Sequence, residues 1–403
     1  MLKIKKIDVP IILCCIGLFV FPYILRERLL GSIALVNFVV YYALYYGYKQ
    51  KTMILPTNAS KRFLTFMIWV SYVLCAAFIL FTVKGNEWST IRKILLIFVY
   101  ILPSTFVTCS IRNNELTEHY IAIWLGFLQV ICRTMCVFWI ADKVLGNSIQ
   151  KIWVNLYASN TLASLVRSGR LVSYFGHALE NAAIFIMLLI WTTIYKNEYP
   201  SQKNTYIFDV AVSIFGIAIC GSKSGLILAL LLVLLCNVGL KKTKYMVAIL
   251  LLFGALYISG IFDLVISRLL DGIATGDLST ARNSSLETLM LRGIISFDFY
   301  KGHPLKYNDV AMTAALEYPF LQWSFTCGIL FTIVQYLMYF VYPGIRVLLS
   351  KKWCVLICML VLMAFYNGNN GIVSFNDDLL MYSINIWLII QVAFNNTVEK
   401  KHG

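Results

Sequence analysis

Apolar and polar residues alternate along this chain in long blocks. Twelve apolar runs stand at 9–25, 32–48, 64–83, 92–108, 119–140, 178–195, 206–221, 224–240, 243–261, 319–341, 353–366 and 379–395. Each approaches the ~20 residues a helix needs to cross a bilayer. The run at 353–366 is the shortest, re-entrant unless Val347–Leu349 extend it. The pattern predicts an all-α integral membrane protein of about twelve transmembrane helices, one polytopic domain over 1–403. An even number of spans puts both termini on one side.

Two polar intervals, 141–177 and 262–318, outgrow the connections between the runs. Helix connections in bundles usually take about 2–8 residues, so the 57 residues of 262–318 are expected to carry function. Within them Ser284-Ser-Leu-Glu287 has the form of a capping box. Leu286, Leu289, Met290 and Ile294 follow at helical spacing, which predicts a short amphipathic helix over 281–296 lying on the outer membrane surface.

Composition agrees: 60% of residues are hydrophobic and 13% charged, against about 45–50% and 25% in soluble domains. Basic residues then orient the bundle. With the N-terminus inside, inner segments hold 18 Lys and Arg, from Lys3 to Lys401, and short outer segments hold six. Both termini are therefore expected in the cytoplasm, with 141–177 and 262–318 outside. The net charge of +15 is mostly this anchoring charge, spread in twos and threes, and does not indicate nucleic acid. The first run lacks a small-residue cleavage site and reads as a retained helix.

Ten of the eleven cysteines fall within runs and Cys109 at a run end, which suits small buried hydrophobes and implies no disulfide framework. Four histidines form no metal-spaced motif, and no Walker loop, dinucleotide fingerprint or HExxH occurs. An ATP-driven pump or zinc hydrolase is not indicated, and no cofactor or metal is expected. Arg133 lies inside a run, and an intramembrane arginine is a functional candidate or a snorkelling or paired one.

Three segments around the outer loops carry candidate chemistry. Arg167-Ser-Gly-Arg170 leads through Gly176 and His177 to Glu180 and Asn181. If helical, the two arginines share a face and offer bidentate donors to a diphosphate, or to a lipid headgroup. Gly221-Ser-Lys223-Ser-Gly225 is a tight turn between two runs, read by default as a close helical hairpin. The long loop holds Arg282, Arg292 and His303 and closes on Glu317-Tyr-Pro319, with Gly328 beyond. Ten residues separate Arg282 from Gly293.

In this order the segments resemble the bacterial O-antigen and capsular-polysaccharide polymerase family (Wzy-type), related to O-antigen ligases. The resemblance covers about 165–341, and earlier runs match in hydropathy alone. Lys223 stands where the family turn has Arg, and Glu317-Tyr318 where ligases have His-Asn. The resemblance implies glycosyl transfer from an undecaprenyl-diphosphate-linked glycan at the outer face of the cytoplasmic membrane, without metal or nucleotide sugar. It implies Arg167, Arg170, Arg282 and Arg292 on the diphosphate. Glu317, His303, His177 and Glu180 are the possible bases, Glu317 leading and His303 next. Glu317 could equally pair with a loop arginine. Implied partners are membrane lipids and a chain-length regulator and flippase of the same pathway. A ligase-type transferase, a lipid-linked oligosaccharide flippase and a partner-docking subunit remain alternatives. A flippase should show two related halves, and none is visible.

Overall fold

The computed structural model describes residues 5–54, 59–82, 90–157, 159–199, 205–237, 260–274, 282–305, 310–368 and 377–395, with positions 254, 257 and 258 besides. These are helical apart from loops and one antiparallel ribbon, Met53–Ile54 paired with Ser110–Ile111. Four helices are long and apolar enough to cross a membrane: Ser60–Leu80, Asn114–Val144, Ala178–Glu198 and Ile329–Leu349. A fifth is the bent pair Val9–Val20 and Tyr23–Leu35, turned by 77°. Five shorter apolar helices, Ile94–Thr108, Tyr206–Ile219, Lys223–Asn237, Trp353–Gly368 and Asp378–Phe394, stand where further spans were expected. Of the twelve expected spans, four or five are long enough by themselves to cross a membrane among the described residues. The expected run at 243–261 lies almost wholly outside the described residues.

Two expected spans are broken for identifiable reasons. The first bends at Pro22, which lacks an amide donor and disfavours helix in the residue before it. The run from 319 breaks between Pro319–Cys327 and Ile329–Tyr336 at Gly328, whose φ of +91° and ψ of 157° suit only glycine.

Ala178–Glu198 is the central helix. Every residue from Asn181 to Ile194 is buried, as expected of a helix apolar all round. It packs against Asn114–Val144, Tyr206–Ile219, Lys223–Asn237 and Trp353–Gly368. A Cβ on Gly216 would lie 2.2 Å from the Phe185 ring, so that glycine sets the approach of its helix. Trp191 donates to Asn385 at 2.5 Å, tying the central helix to Asp378–Asn395. Helix Ala59–Thr82 instead exposes Phe66, Trp69, Val73 and Leu80 along one face, the surface a lipid-facing helix presents.

The long loop folds around a small core of its own. Arg282–Leu291 packs on Val310–Ala315, with Leu289, Ile295, Leu305, Met312, Leu316 and Phe325 buried together. This corrects the expectation for 281–296. The helix begins at Arg282, so Ser284 lies inside it and does not cap it. It stops at Leu291 because Gly293 turns left-handed, donating to Met290 while Ile294 donates to Leu289. The expected apolar stripe divides: Leu286 and Leu289 face the small core, while Met290 and Ile294 are exposed.

Candidate functional site

The N-terminal end of the central helix gathers the first two sequence segments. Helix Asn160–Arg167 ends in the same way at Gly169, with Gly169 donating to Val166 and Arg170 to Leu165. Arg170 therefore lies outside the helix and does not share a face with Arg167, contrary to expectation. Leu171 N donates to Ile219 O at 2.9 Å, and Arg170 Nε donates to Cys220 O at 2.8 Å. The arginine segment is thereby fastened onto the turn of Gly221, Ser222 and Lys223. Asn181, fully buried, holds the other side: it accepts from Ser173 Oγ at 2.5 Å and donates to Leu171 O at 3.2 Å.

His177 caps the central helix, its Nδ1 accepting from Leu179 N at 3.2 Å. Burial, assisted by the Arg170 charge, pushes its imidazole down to about 4. It is neutral at pH 7 with Nδ1 occupied, which makes it a weak base and a structural cap. Glu180, in the first turn, lines a cavity of about 40 Å³ with Asp377, Asp378, Tyr23, Ile24 and Phe175. That volume holds a few waters and no sugar ring.

Asp377 is locked by Arg26, whose two terminal nitrogens reach its two oxygens at 2.6 and 2.8 Å, and by Asn37 at 2.9 Å. Arg26 also donates to the Gly17 and Phe21 carbonyls at the bend after Val20, and to the Ala34 carbonyl at the end of the short helix Gly31–Leu35. Sequence reasoning missed Arg26, Asp377 and Asp378. The only available signal was two adjacent carboxylates at the mouth of the last run.

The third segment builds a separate cluster. His303 Nε2 lies 2.7 Å from Asp298 Oδ2, its ring stacks on Phe325 at 5.3 Å, and its amide donates to Phe325 O. Residues 298–303 run beside the break at Gly328: Ile329 and Leu330 amides donate to Asp298 and Phe299 carbonyls. A Cβ on Gly302 would meet Thr326 O at 1.8 Å, so only glycine lets the chain pass there. Glu317 is half-buried, two residues before Pro319, with its amide 3.4 Å from Ala314 O.

Arg167 and Arg292 are exposed at the ends of their helices, and neither has an ion pair among the described residues. Arg282 opens its helix, and its side chain lies outside the described residues. The four arginines thus stand on three separate elements. Arg133 is accounted for by structure: its Nη2 meets Asp209 Oδ1 at 2.6 Å, and Gln129 supports the same carboxylate at 2.8 Å. Its guanidinium also lies 5.0 Å over the Phe208 ring. A fully buried carboxylate paired this way joins Asn114–Val144 to Tyr206–Ile219, the paired alternative expected for Arg133.

An all-α protein with four or five membrane-length apolar helices and a polar cluster at one end of its most buried helix belongs among helical membrane proteins. The chain matches no protein-family profile, and no curated protein or solved structure is significantly similar to it.

Proposed function

We propose that this protein is a polysaccharide polymerase of about twelve spans in the cytoplasmic membrane, both termini cytoplasmic. It would join undecaprenyl-diphosphate-linked repeat units at the outer face. One observation carries the reading: the two polymerase-like segments, Arg167–Asn181 and Ile219–Gly225, are hydrogen-bonded to each other through Leu171–Ile219 and Arg170–Cys220. Two of the three segments thus meet in space, as a shared site requires, and the third, with His303 and Glu317, stands in the separate cluster beside Gly328.

The chemistry follows from the donor. The acceptor hydroxyl oxygen forms a bond to the anomeric carbon while the bond from that carbon to the diphosphate oxygen breaks. The electron pair leaves with the lipid diphosphate, and the hydroxyl proton passes to a base. We assign Arg170, Arg167, Arg282 and Arg292 to the departing charge, Arg170 with its Nε held on Cys220 O, guanidinium forks being suited to phosphate oxygens. Between the two leading bases, geometry favours His303 over Glu317. Asp298 orients the imidazole and stabilises the imidazolium formed on accepting a proton. A chain-length regulator and a flippase of the same pathway would be its partners.

The test is glycan length in a strain lacking the gene. Single repeat units on the lipid carrier support polymerisation. Unattached full-length polymer would assign the chain to ligase-type transfer, and absence of outward glycan to a flippase. Topology is tested separately by an impermeant thiol reagent on Ser168→Cys and Ser296→Cys, both exposed positions, with Lys351→Cys as the inner control. Ten native cysteines are buried and Cys354 is half-buried, so background is low. Labelling of Lys351→Cys alone in intact cells would overturn the arrangement.

A further inference from the structure

At the opposite end of the bundle from the Arg170 cluster, three thiols meet. Cys354 and Cys358 are one helical turn apart in Trp353–Gly368 and share a face; Cys236 stands in the last turn of Lys223–Asn237. Their three sulfurs lie within 4.8 Å of one another. A metal–sulfur bond of about 2.3 Å implies sulfurs roughly 4 Å apart around a three-coordinate ion. The spacing needs little adjustment to hold one.

The field favours a thiolate at one of the three. Cys354 occupies the first turn of its helix, where the positive end of the helix dipole favours an anion. The Lys196 ammonium is held nearby: it donates to Asn237, the neighbour of Cys236, at 2.8 Å and lies 3.7 Å over the Tyr206 ring. Cys236, at the negative end of its own helix, feels the opposite field, which a bound cation would offset. Cys236 and Cys358 are buried and Cys354 is half-buried, giving a path from one side.

We infer that Cys236, Cys354 and Cys358 form a binding site for a soft monovalent cation of the Cu(I) class. Three sulfurs with no fourth His, Asp or Glu ligand among the described residues favour it. Soft thiolates bind both zinc and Cu(I), but structural zinc almost always takes four ligands, so a set of three sulfurs favours Cu(I). The inference is independent of the polymerase reading.

The full-length protein in detergent, thiols reduced, is titrated against Cu(I) held by bicinchoninate. One equivalent should pass from chelator to protein. Cys358→Ser and Cys354→Ser should each weaken uptake at least about tenfold, the scale seen even for groups one shell beyond the metal. Cys14→Ser, at a buried site elsewhere, should leave it unchanged. Should Cys358→Ser misfold, the half-buried Cys354→Ser still decides. No uptake by the wild type, full uptake by Cys354→Ser, or uptake of Zn(II) in place of Cu(I) would each overturn the assignment.

Discussion

The N-terminal end of the central helix and the cap formed by the long loop hold the same kinds of residue and are built in opposite ways. At the central helix, arginine, histidine, asparagine and aspartate are spent on neighbouring side chains or backbone groups: Arg26 on Asp377, Arg170 on Cys220 O, His177 on the Leu179 amide, Asn181 on Ser173 and Leu171 O. In the cap, a small apolar core gives the shape, and Arg292 is left exposed while His303 takes a half-exposed carboxylate. Buried polar groups must be paired where water is excluded, because an unpaired one costs about 1–3 kcal/mol. The first region is therefore a scaffold of polar contacts, and the second leaves Arg292 and the Asp298–His303 pair partly open to solvent.

The largest effect should come from the scaffold. Arg26→Met leaves Asp377 buried without its partner and is expected to cost about 3–5 kcal/mol, read as thermal unfolding in detergent. The double change Arg26→Met with Asp377→Leu should recover most of it. Stability equal to wild type in the single variant would erase the contrast between the regions.

In the cap the expected effect falls on chemistry. His303→Ala should lower polymer output about 10²-fold or more at normal protein level, with Asp298→Asn intermediate. If His303→Ala is silent and Glu317→Gln abolishes polymer, the base is Glu317 and the Asp298–His303 pair is structural.

Asn181→Ala sharpens the scaffold side, removing one bond to Ser173 and one to Leu171, at about 2 kcal/mol. It should release the Arg170 segment from the Gly221 turn, which hydrogen exchange at the Leu171 amide would report.

His177 supplies a pH signature of the same region. Its folded pKa, about 4, lies below the ordinary value of 6.5, so the folded state binds fewer protons than the unfolded one. Its contribution is complete above pH 6.5 and is lost progressively as pH falls toward 4, by roughly 2–3 kcal/mol. His177→Asn, which retains a cap, should flatten that slope in stability measured from pH 7 to 4.5. An unchanged slope would show that His177 is not the group responsible.

The smallest stability effect belongs to the exposed arginines. Arg167→Ala and Arg292→Ala should each change stability by less than about 0.5 kcal/mol. Both should shorten the polymer, and Lys should restore it only in part. Normal polymer in the double variant would remove these two from the diphosphate.

Much of this was legible in order along the chain. The helix from 178 and the close packing at the Gly221 turn were expected in place, but the burial of that helix was not, since the more apolar helix Ser60–Leu80 is far less buried. The loop helix was expected in place, though its ends were not, because Gly293 sets the C-terminus through backbone geometry that hydrophobic spacing does not register. Arg167 and Arg170 looked like a helical pair for the same reason: a glycine between them reverses the chain. Pro22 and Gly328 divided runs whose hydropathy is continuous.

Membrane class was determined by the sequence alone, because the transfer free energy of a segment is close to a sum over its own residues and needs no knowledge of neighbours. Partnership is different in kind. Arg26 and Asp377 are 351 residues apart, Arg133 and Asp209 are 76 apart, and the three sulfurs come from two helices with a long stretch of chain between them. Whether such a residue is a buried tie or an available charge depends on what packs against it. Only the tertiary structure decided that: the cost of desolvating a charge is cancelled by a specific group at 2.6–2.8 Å, which linear order does not encode.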